Sequence, residues 1–527
     1  MTAGVKPEGA GPVGARASVL LDPPFLALAL VLLGVFLATR LPFFWYYPRV
    51  DLSQDSVSYL DIANTMRAGH WPRFIFRTPG YPVLIWLVTS CVDRWLAVIF
   101  VQNILSLCSC LFLVYSVRRL RRSLALPAAL AMCGFLGSSQ VLIYDISLMS
   151  DSLYTSMVIA VAASLTLALA VRRAAAFSLV SALMAAAILV RPAGAYFAVI
   201  YAVVLAYLAW NRFRPGAVLG FAVPFPAILL GFCAYNAATI GQFVITPFAE
   251  ANLAGATALF WEADPRLPDR VNKALEGLPE SYEKTGITRE DLELVRTSWD
   301  AGPLFEVYAK AYNRLVWSAG WGSGTRFGPG DYLHNRDYIR QVSLIAIRRH
   351  PDLYAKYVWV NMVSFFEGIG YKFDFYASMN YRTRGQTPAD ARAYAREGAG
   401  AAPADDAPRR PTAERALRGL QLAWQGIHGA VYQTVLWTWA YAAMFVLSAA
   451  RLVAARGRHE GAFLLFVLSL IPLGAGLVVC LVETATDRYS YPTQFICYLL
   501  VALAPLLLGP ARSGLGPAPA SGVASPN

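Results

Sequence analysis

Long runs of apolar residues dominate the chain, and short charged or turn-forming stretches separate them. The hydrocarbon core of a bilayer needs about 20 apolar residues in a helix, because it is about 30 Å thick and each residue rises about 1.5 Å. Ten such runs lie near residues 25–45, 96–117, 124–143, 152–171, 175–190, 193–210, 217–238, 430–450, 462–482 and 493–509. The run over 82–92 ends at Asp93 and Arg94 and is too short to cross, so it predicts an interfacial or re-entrant helix. The pattern predicts an all-α polytopic membrane protein with about ten transmembrane helices.

The composition agrees with this prediction. Of the 527 residues, 57% are hydrophobic and only 15% are charged, whereas soluble domains are about 25% charged. The seven cysteines lie mostly in apolar runs and the five histidines are scattered, so neither a disulfide framework nor a His/Cys metal site is expected. The net charge of +12 is not gathered in a basic soluble block, so nucleic acid is not an expected partner.

The positive charge instead falls in alternate loops. These loops carry Lys6, Arg16, Arg118, Arg119, Arg121, Arg122, Arg172, Arg173, Arg212, Arg214, Arg451, Arg456, Arg458 and Arg512. Cytoplasmic loops of membrane proteins carry an excess of Lys and Arg, so this set and both termini are expected in the cytoplasm. The other loops are then extracytoplasmic. They include the two longest, 46–95 and 240–429, and function is expected on their side.

The pattern divides the chain into five parts. They are a cytoplasmic tail over 1–24, a core of seven spans over 25–239, an extracytoplasmic loop domain over 240–429, three further spans over 430–509 and a disordered cytoplasmic tail over 510–527. Apolar residues recur at helical spacing from Gln341 to Ile369, with an interruption at His350-Pro351. The stretch 384–414 is rich in Ala, Pro, Arg and Asp and is predicted to be disordered.

Acids and arginines gather at the outer ends of the predicted spans, with aromatic residues beside them. Asp55 opens an amphipathic helix that contains Tyr59 and stops at Gly69, and Arg77 precedes a rigid Pro79-Gly80-Tyr81-Pro82 turn. Each residue has an ordinary structural explanation, since an acid can cap a helix and an interfacial arginine can snorkel. Together they place carboxylates and guanidiniums at one membrane boundary, which is costly unless they line a cavity.

Further motifs follow at the same boundary. Asp151 opens the fourth span, Arg191-Pro192 follows the fifth, and Arg488-Tyr489 precedes the last. With Asn236, Gly241 and His350-Pro351, these motifs resemble, in order and sidedness, the C-type membrane glycosyltransferases. The resemblance covers roughly residues 25–260 and 345–505. Within the family, the sequence resembles the bacterial branch similar to dolichyl-phosphate-mannose protein mannosyltransferases and the lipid A aminoarabinose transferase.

The resemblance implies an active cavity on the extracytoplasmic side of a bacterial inner membrane, with a polyprenyl-phosphate-linked sugar as donor. It implies that Asp55 is catalytic and that Asp151 is a second acid of the site. Many relatives carry paired acids at the first position, whereas Gln54 and Ser56 flank Asp55 here. No metal ligands are therefore assigned, and a divalent cation stays open as a cofactor. The sugar and the acceptor, whether protein, lipid or glycan, stay open as well.

The residue types also suit this chemistry in their own right. A carboxylate about 2.6–3.2 Å from an acceptor hydroxyl can take its proton, and Asp55 is the expected base. Cations stabilise a departing lipid phosphate, and the expected donor-binding residues are Arg191, Arg488, Arg77, Tyr489 and Tyr59. Direct displacement by the acceptor inverts the anomeric centre.

Two other classes of function stay open. A transporter or flippase for lipid-linked saccharides is also polytopic, although such proteins often show internal repeats and charges at mid-span, and neither is found in this sequence. A non-enzymatic assembly partner could instead bind cell-wall polymer through its outer loop.

Overall fold

The computed structural model describes residues 22–46, 50, 52, 54–327, 332–367, 436–482 and 487–509. Within these ranges the chain is helical and contains no strand, so the predicted all-α membrane class is confirmed. The predictions for residues 1–21, for the stretch 384–414 and for the tail over 510–527 lie outside the described residues.

The first half of the chain forms an apolar bundle. Its helices are α1 (Pro23–Tyr46), α2 (Gln54–Arg67), α3 (Gly80–Cys91), α4 (Trp95–Leu120), α5 (Ala125–Leu136), α6 (Ser139–Ile146), α7 (Ser150–Val171), α8 (Ala174–Val190), α9 (Phe197–Trp210), α10 (Pro215–Ala222) and α11 (Pro224–Ile240). The amphipathic helix predicted to stop at Gly69 is α2, and Gly69 turns the chain with a φ of 81°. The predicted short helix over 82–92 is α3.

A group of helices with no candidate membrane span among its described residues follows, and we name it the extramembranous domain; a second set of apolar helices comes after it. The domain contains α12 (Ala249–Thr257), α13 (Asp269–Glu276), α14 (Leu278–Thr285), α15 (Arg289–Thr297), α16 (Ala301–Lys310), α17 (Tyr332–Arg349) and α18 (Pro351–Glu367). The bundle is completed by α19 (Leu436–Ala454), α20 (Glu460–Val482), the short α21 (Asp487–Ser490) and α22 (Phe495–Leu503). The break predicted at His350-Pro351 is confirmed, because α17 ends at Arg349 and α18 begins at Pro351.

Seven segments among the described residues are long and apolar enough to cross a membrane. They are Pro23–Leu41, Trp95–Leu120, Ser150–Val171, Pro192–Trp210, Pro215–Ile240, Glu460–Leu481 and Tyr491–Leu508. The other three predicted spans fall on the shorter apolar segments Arg122–Leu136, Ala174–Val190 and Trp439–Ala454. The total of ten spans therefore stays a prediction.

The third predicted span, 124–143, is wrong as a continuous helix. α5 ends at Leu136, Ser138 has an extended backbone, and α6 begins at Ser139. The last carbonyls of a helix lack intrahelical partners, and the guanidinium of Arg40 donates to the carbonyl oxygen of Leu136 at 2.5 Å. The break is thus satisfied by protein, as polar backbone within a bilayer must be.

The basic loops share one end of the bundle. Arg118 near the end of α4 pairs with Asp22 just before α1, and Arg172 just after α7 pairs with Glu460 at the start of α20. The start of α7 and the end of α20 therefore lie at the other end of the bundle, opposite the basic loops. The arrangement agrees with the alternation of basic loops in the sequence, and the assignment of this end to the cytoplasm stays a prediction.

The extramembranous domain has its own hydrophobic core, which spans residues 251–360 and includes Trp261 and Trp321. It contacts the end of the bundle that is opposite the basic loops. The ring of Phe76 packs on those of Phe248 and Tyr332, and the hydroxyl of Tyr354 donates to the carbonyl of Leu481 at 2.6 Å. The domain therefore lies against the end that carries the predicted site.

Candidate functional site

Asp55 and Arg77 form the first carboxylate–guanidinium pair of the site. Nη2 of Arg77 lies 2.5 Å from Oδ1 of Asp55, and Nε donates to the hydroxyl of Ser58 at 2.8 Å. The guanidinium carbon also lies 4.8 Å from the centre of the Tyr59 ring. Three residues from the first two turns of α2 thus hold Arg77 in place, because α2 begins at Gln54 and presents them on neighbouring positions.

Asp151 and Arg191 form the second pair. Asp151 lies in the first turn of α7, and Arg191 follows the last residue of α8 with an extended backbone that turns its side chain back to the bundle. Nη1 of Arg191 donates to Oδ1 of Asp151, and both side chains are buried. The guanidinium carbon of Arg191 lies 4.5 Å from the centre of the Tyr489 ring. This pair is therefore a cation held by a carboxylate and an aromatic face.

The two pairs are linked. The hydroxyls of Tyr59 and Ser150 lie 2.9 Å apart, and Ser150 is the neighbour of Asp151. Gly80, three residues after Arg77, packs against the end of α8: a Cβ added there would lie 2.7 Å from Cγ2 of Val190. No larger residue fits this contact, so Gly80 lets the Arg77 turn approach the Arg191 turn.

A small cleft opens beside Arg191. Its walls are Tyr154, Arg191, Ala193, Tyr196, Ala475, Val479, Tyr489, Pro492 and Thr493, and its enclosed volume is about 10 Å³. The hydroxyl of Tyr154 donates to that of Tyr196 at 3.1 Å. A cavity needs about 10–15 Å³ to hold one water molecule, so the cleft as it stands has room for about one water, and a larger group would have to displace its walls.

The structure brings together six of the seven predicted site residues. Asp55, Tyr59 and Arg77 meet at one pair, and Asp151, Arg191 and Tyr489 meet at the other. The backbone of Arg488 lies in α21 beside Tyr489, whereas the Arg488 side chain lies outside the described part of the chain. Within the described ranges, no group of three or more His, Cys, Asp or Glu side chains is placed to hold a metal ion.

Two motifs of the predicted pattern have structural partners away from these pairs. Nε2 of His350 lies 3.0 Å from Oε1 of Glu262 in the extramembranous domain. The side-chain amide of Asn236 donates to the carbonyls of Val244 and Ile245, at 2.8 and 3.2 Å, where the chain leaves α11. Both residues hold the domain and its connection, and neither joins the candidate site.

Sequence reasoning missed a buried ion pair next to the site. Nη2 of Arg40 lies 2.6 Å from Oδ2 of Asp145, and both side chains are 1% exposed. Arg40 lies near the end of the first span, Pro23–Leu41, so the pair does not contradict the prediction that the spans carry no charge at their middle. The signal was present in the sequence, because an ionisable residue within an otherwise apolar run usually has a partner.

In the extramembranous domain, Asp264 is held by two arginines. Hydrogen bonds from the Arg266 side chain and backbone amide, and the nearby charge of Arg349, hold the pKa of the Asp264 carboxyl well below its usual value. Nη2 of Arg349 lies 2.6 Å from Oδ2 of Asp264. These contacts tie the 262–266 segment to the end of α17.

Protein-family models, curated proteins and solved structures offer no match to this chain.

Proposed function

We propose that the chain is an inverting glycosyltransferase, which moves a hexosyl or pentosyl group from a polyprenyl-phosphate-linked donor to an extracytoplasmic acceptor. The observation that carries the proposal is the convergence of two carboxylate–guanidinium pairs, joined by Tyr59 and Ser150, at one end of an apolar bundle. Ionisable groups at membrane depth are expensive and usually functional. Bases and phosphate-binding cations are the groups that such a transfer needs.

The exposure of the two acids separates their roles. The Asp55 side chain is 29% exposed and that of Asp151 is 0% exposed. An acceptor hydroxyl must reach within about 2.6–3.2 Å of the base, so Asp55 serves as the base. Asp151 instead orients Arg191, because its carboxylate is enclosed and bonded to that guanidinium.

Arg191 contributes positive charge for the donor phosphate. It stands in the wall of the cleft, and the apolar side chains of Ala475 and Val479 on α20 form the adjoining wall. In this proposal the donor phosphate displaces the side chains that narrow the cleft and pairs with the guanidinium, while the prenyl chain follows the apolar helices towards the lipid. Arg488, next to Tyr489 in the chain, is proposed as a second phosphate ligand.

The transfer then balances without a further reactant. Asp55 takes the acceptor proton while the acceptor oxygen bonds to the anomeric carbon. The bond from that carbon to the phosphate oxygen breaks, and polyprenyl phosphate leaves with the electron pair and is stabilised by the arginines. Attack opposite the leaving group inverts the anomeric centre. We place this reaction at the extracytoplasmic face of a bacterial inner membrane, with both termini in the cytoplasm.

Analysis of co-purified lipid tests the proposal directly. Wild-type protein extracted in mild detergent should carry polyprenyl phosphate or its sugar conjugate, detectable by mass spectrometry. Arg191→Ala should lose most of it, whereas Arg67→Ala, which removes an exposed ion pair with Asp93, should retain it. Absence of any polyprenyl lipid from wild-type protein, with added lipid also failing to bind, would contradict the proposal.

A further inference from the structure

A buried polar cluster lies beside the candidate site. It consists of Arg40, Gln102, Asn103, Asp145 and Ser152, all of which are buried. Nη2 of Arg40 donates a hydrogen bond to Oδ2 of Asp145 at 2.6 Å, and the hydroxyl of Ser152 donates one to Oδ1 at 2.5 Å. Both carboxylate oxygens are thus held, one by α1 and the other by α7.

The cluster also fixes the backbone between α6 and α7. Nε2 of Gln102 donates to the carbonyls of Asp145 and Ser147 at 2.9 and 2.8 Å. Nδ2 of Asn103 donates to the same Asp145 carbonyl at 2.7 Å. Two neighbouring residues of α4 therefore hold the connection that leads into α7.

This connection carries the acid that orients Arg191. Ser152 and Ser150 flank Asp151, and they are bonded to Asp145 and Tyr59 respectively. The Tyr59 ring packs on the edge of the Tyr81 ring, and the Tyr81 hydroxyl donates to Gln102 at 3.1 Å. The first turn of α7 is therefore held on both sides of Asp151 by groups connected to the cluster.

The ion pair has a structural role and a second consequence. Arg40 satisfies the carbonyl of Leu136 at the break between α5 and α6. The bond from Ser152 to Asp145 is not part of that break, and it ties the first turn of α7 to the pair.

We propose that the cluster positions Asp151 against Arg191 and so sets the affinity of the site for the phosphate of the donor. The proposal rests on the proposed function, since it needs Arg191 to bind a lipid phosphate. Arg40, Asp145 and Ser152 are positioning residues, because they act through Asp151 and contact no substrate.

Ser152→Ala is the mildest test, because it removes one hydroxyl from Asp145. Its matched control is Ser164→Ala, which removes a buried hydroxyl of the same helix that bonds only to the local carbonyl of Val161. The dissociation constant of a fluorescent short-chain polyprenyl phosphate should rise about 2- to 30-fold in Ser152→Ala, the range of couplings carried through packed networks. Ser164→Ala should bind as wild type does, and both unfolding temperatures should stay close to that of wild type.

The double variant Arg40→Met with Asp145→Leu extends the test. It also removes the donor to the Leu136 carbonyl, so its stability should fall, and its folded protein should bind the same lipid phosphate more weakly. Wild-type affinity in folded Ser152→Ala and in the double variant would overturn the inference and leave the proposed function intact. If the double variant does not fold, Ser152→Ala alone decides. Failure of the wild-type protein to bind polyprenyl phosphate would instead overturn the proposed function and this inference with it.

Discussion

Asp55→Asn separates a catalytic carboxylate from a structural one. The change keeps the size and one carbonyl oxygen of the side chain, and removes its charge and its ability to take a proton. Asp55 bonds to Arg77 at 2.5 Å, and the two side chains are 29% and 25% exposed. The structure therefore allows the stability effect and the catalytic effect to be estimated separately.

The two effects differ in size. Both side chains of the pair are mostly buried, and a hydrogen bond to a charged group contributes about 1.5–3 kcal/mol. Arg77 keeps its bond to Ser58 and its position over the Tyr59 ring in the variant. The free energy of unfolding should therefore fall by no more than about 1.5–3 kcal/mol. Loss of a general base reduces turnover by about 10²–10⁴-fold, which corresponds to about 2.7–5.4 kcal/mol in the barrier.

The assay compares transfer rates at saturating donor in proteoliposomes, with unfolding temperatures measured on the same preparations. Asp93→Asn is the matched control, because it removes the carboxylate of a second ion pair, with Arg67 at 2.7 Å, that lies outside the site. Asp55→Asn should bind donor normally and transfer sugar at least about a hundredfold more slowly, whereas Asp93→Asn should match wild type. A folded Asp55→Asn protein that transfers at the wild-type rate would refute the assignment of the base.

Three further predictions concern the phosphate ligand, the orientation and the extramembranous domain. Arg191→Ala should weaken donor binding at least about tenfold, since a hydrogen bond to a charged group contributes about 1.5–3 kcal/mol. Arg191→Lys should restore donor binding only partly. Equal donor affinity in wild type, Arg191→Ala and Arg191→Lys would contradict this role. A tag inserted at Arg119 should be inaccessible from outside intact cells while one near Ala402 is accessible, because short basic loops stay in the cytoplasm. External labelling of the tag at 119 would reverse the orientation. The lowered pKa of Asp264 stabilises the folded protein above the ordinary Asp pKa of about 3.9, and this stabilisation is lost as the pH falls through the lower folded value. Asp264→Asn should remove that acid-dependent part of the unfolding curve, and an unchanged pH dependence would show that Asp264 does not contribute.

Much of the bundle follows from composition and periodicity. A run of about 20 apolar residues has few alternatives to a spanning helix, and the start of α18 follows from the clash of Pro351 with a continuing helix. The break after Leu136 has a local signal, because Gly137-Ser138-Ser139-Gln140 interrupts the apolar run 124–143. The feature that satisfies the break, the Arg40 guanidinium, has none, because it lies far away in the sequence. Local pattern carries no information about such distant partners.

For the candidate site, too, the sequence predicts where residues lie but not which of them form pairs. The presence of Asp55, Arg77, Asp151 and Arg191 at one end of the bundle follows from the alternation of basic loops and the position of each residue beside a span. Their pairing does not, because nothing in the sequence says that Asp55 bonds to Arg77 and Asp151 to Arg191. The different exposures of the two acids come from the packing of α7 inside the bundle. That packing supports their assignment to different roles.

The most direct test of the proposed glycosyl transfer uses purified wild-type protein in proteoliposomes that contain a polyprenyl-phosphate-linked sugar with radioactive label in the sugar. A panel of protein, lipid and glycan acceptors is supplied on the side opposite the basic loops. We expect label on an acceptor with inverted anomeric configuration, release of polyprenyl phosphate in equal amount, and loss of both in Asp55→Asn. Movement of the intact lipid-linked sugar across the bilayer, with no labelled acceptor and no released polyprenyl phosphate, would contradict the proposal and identify a flippase.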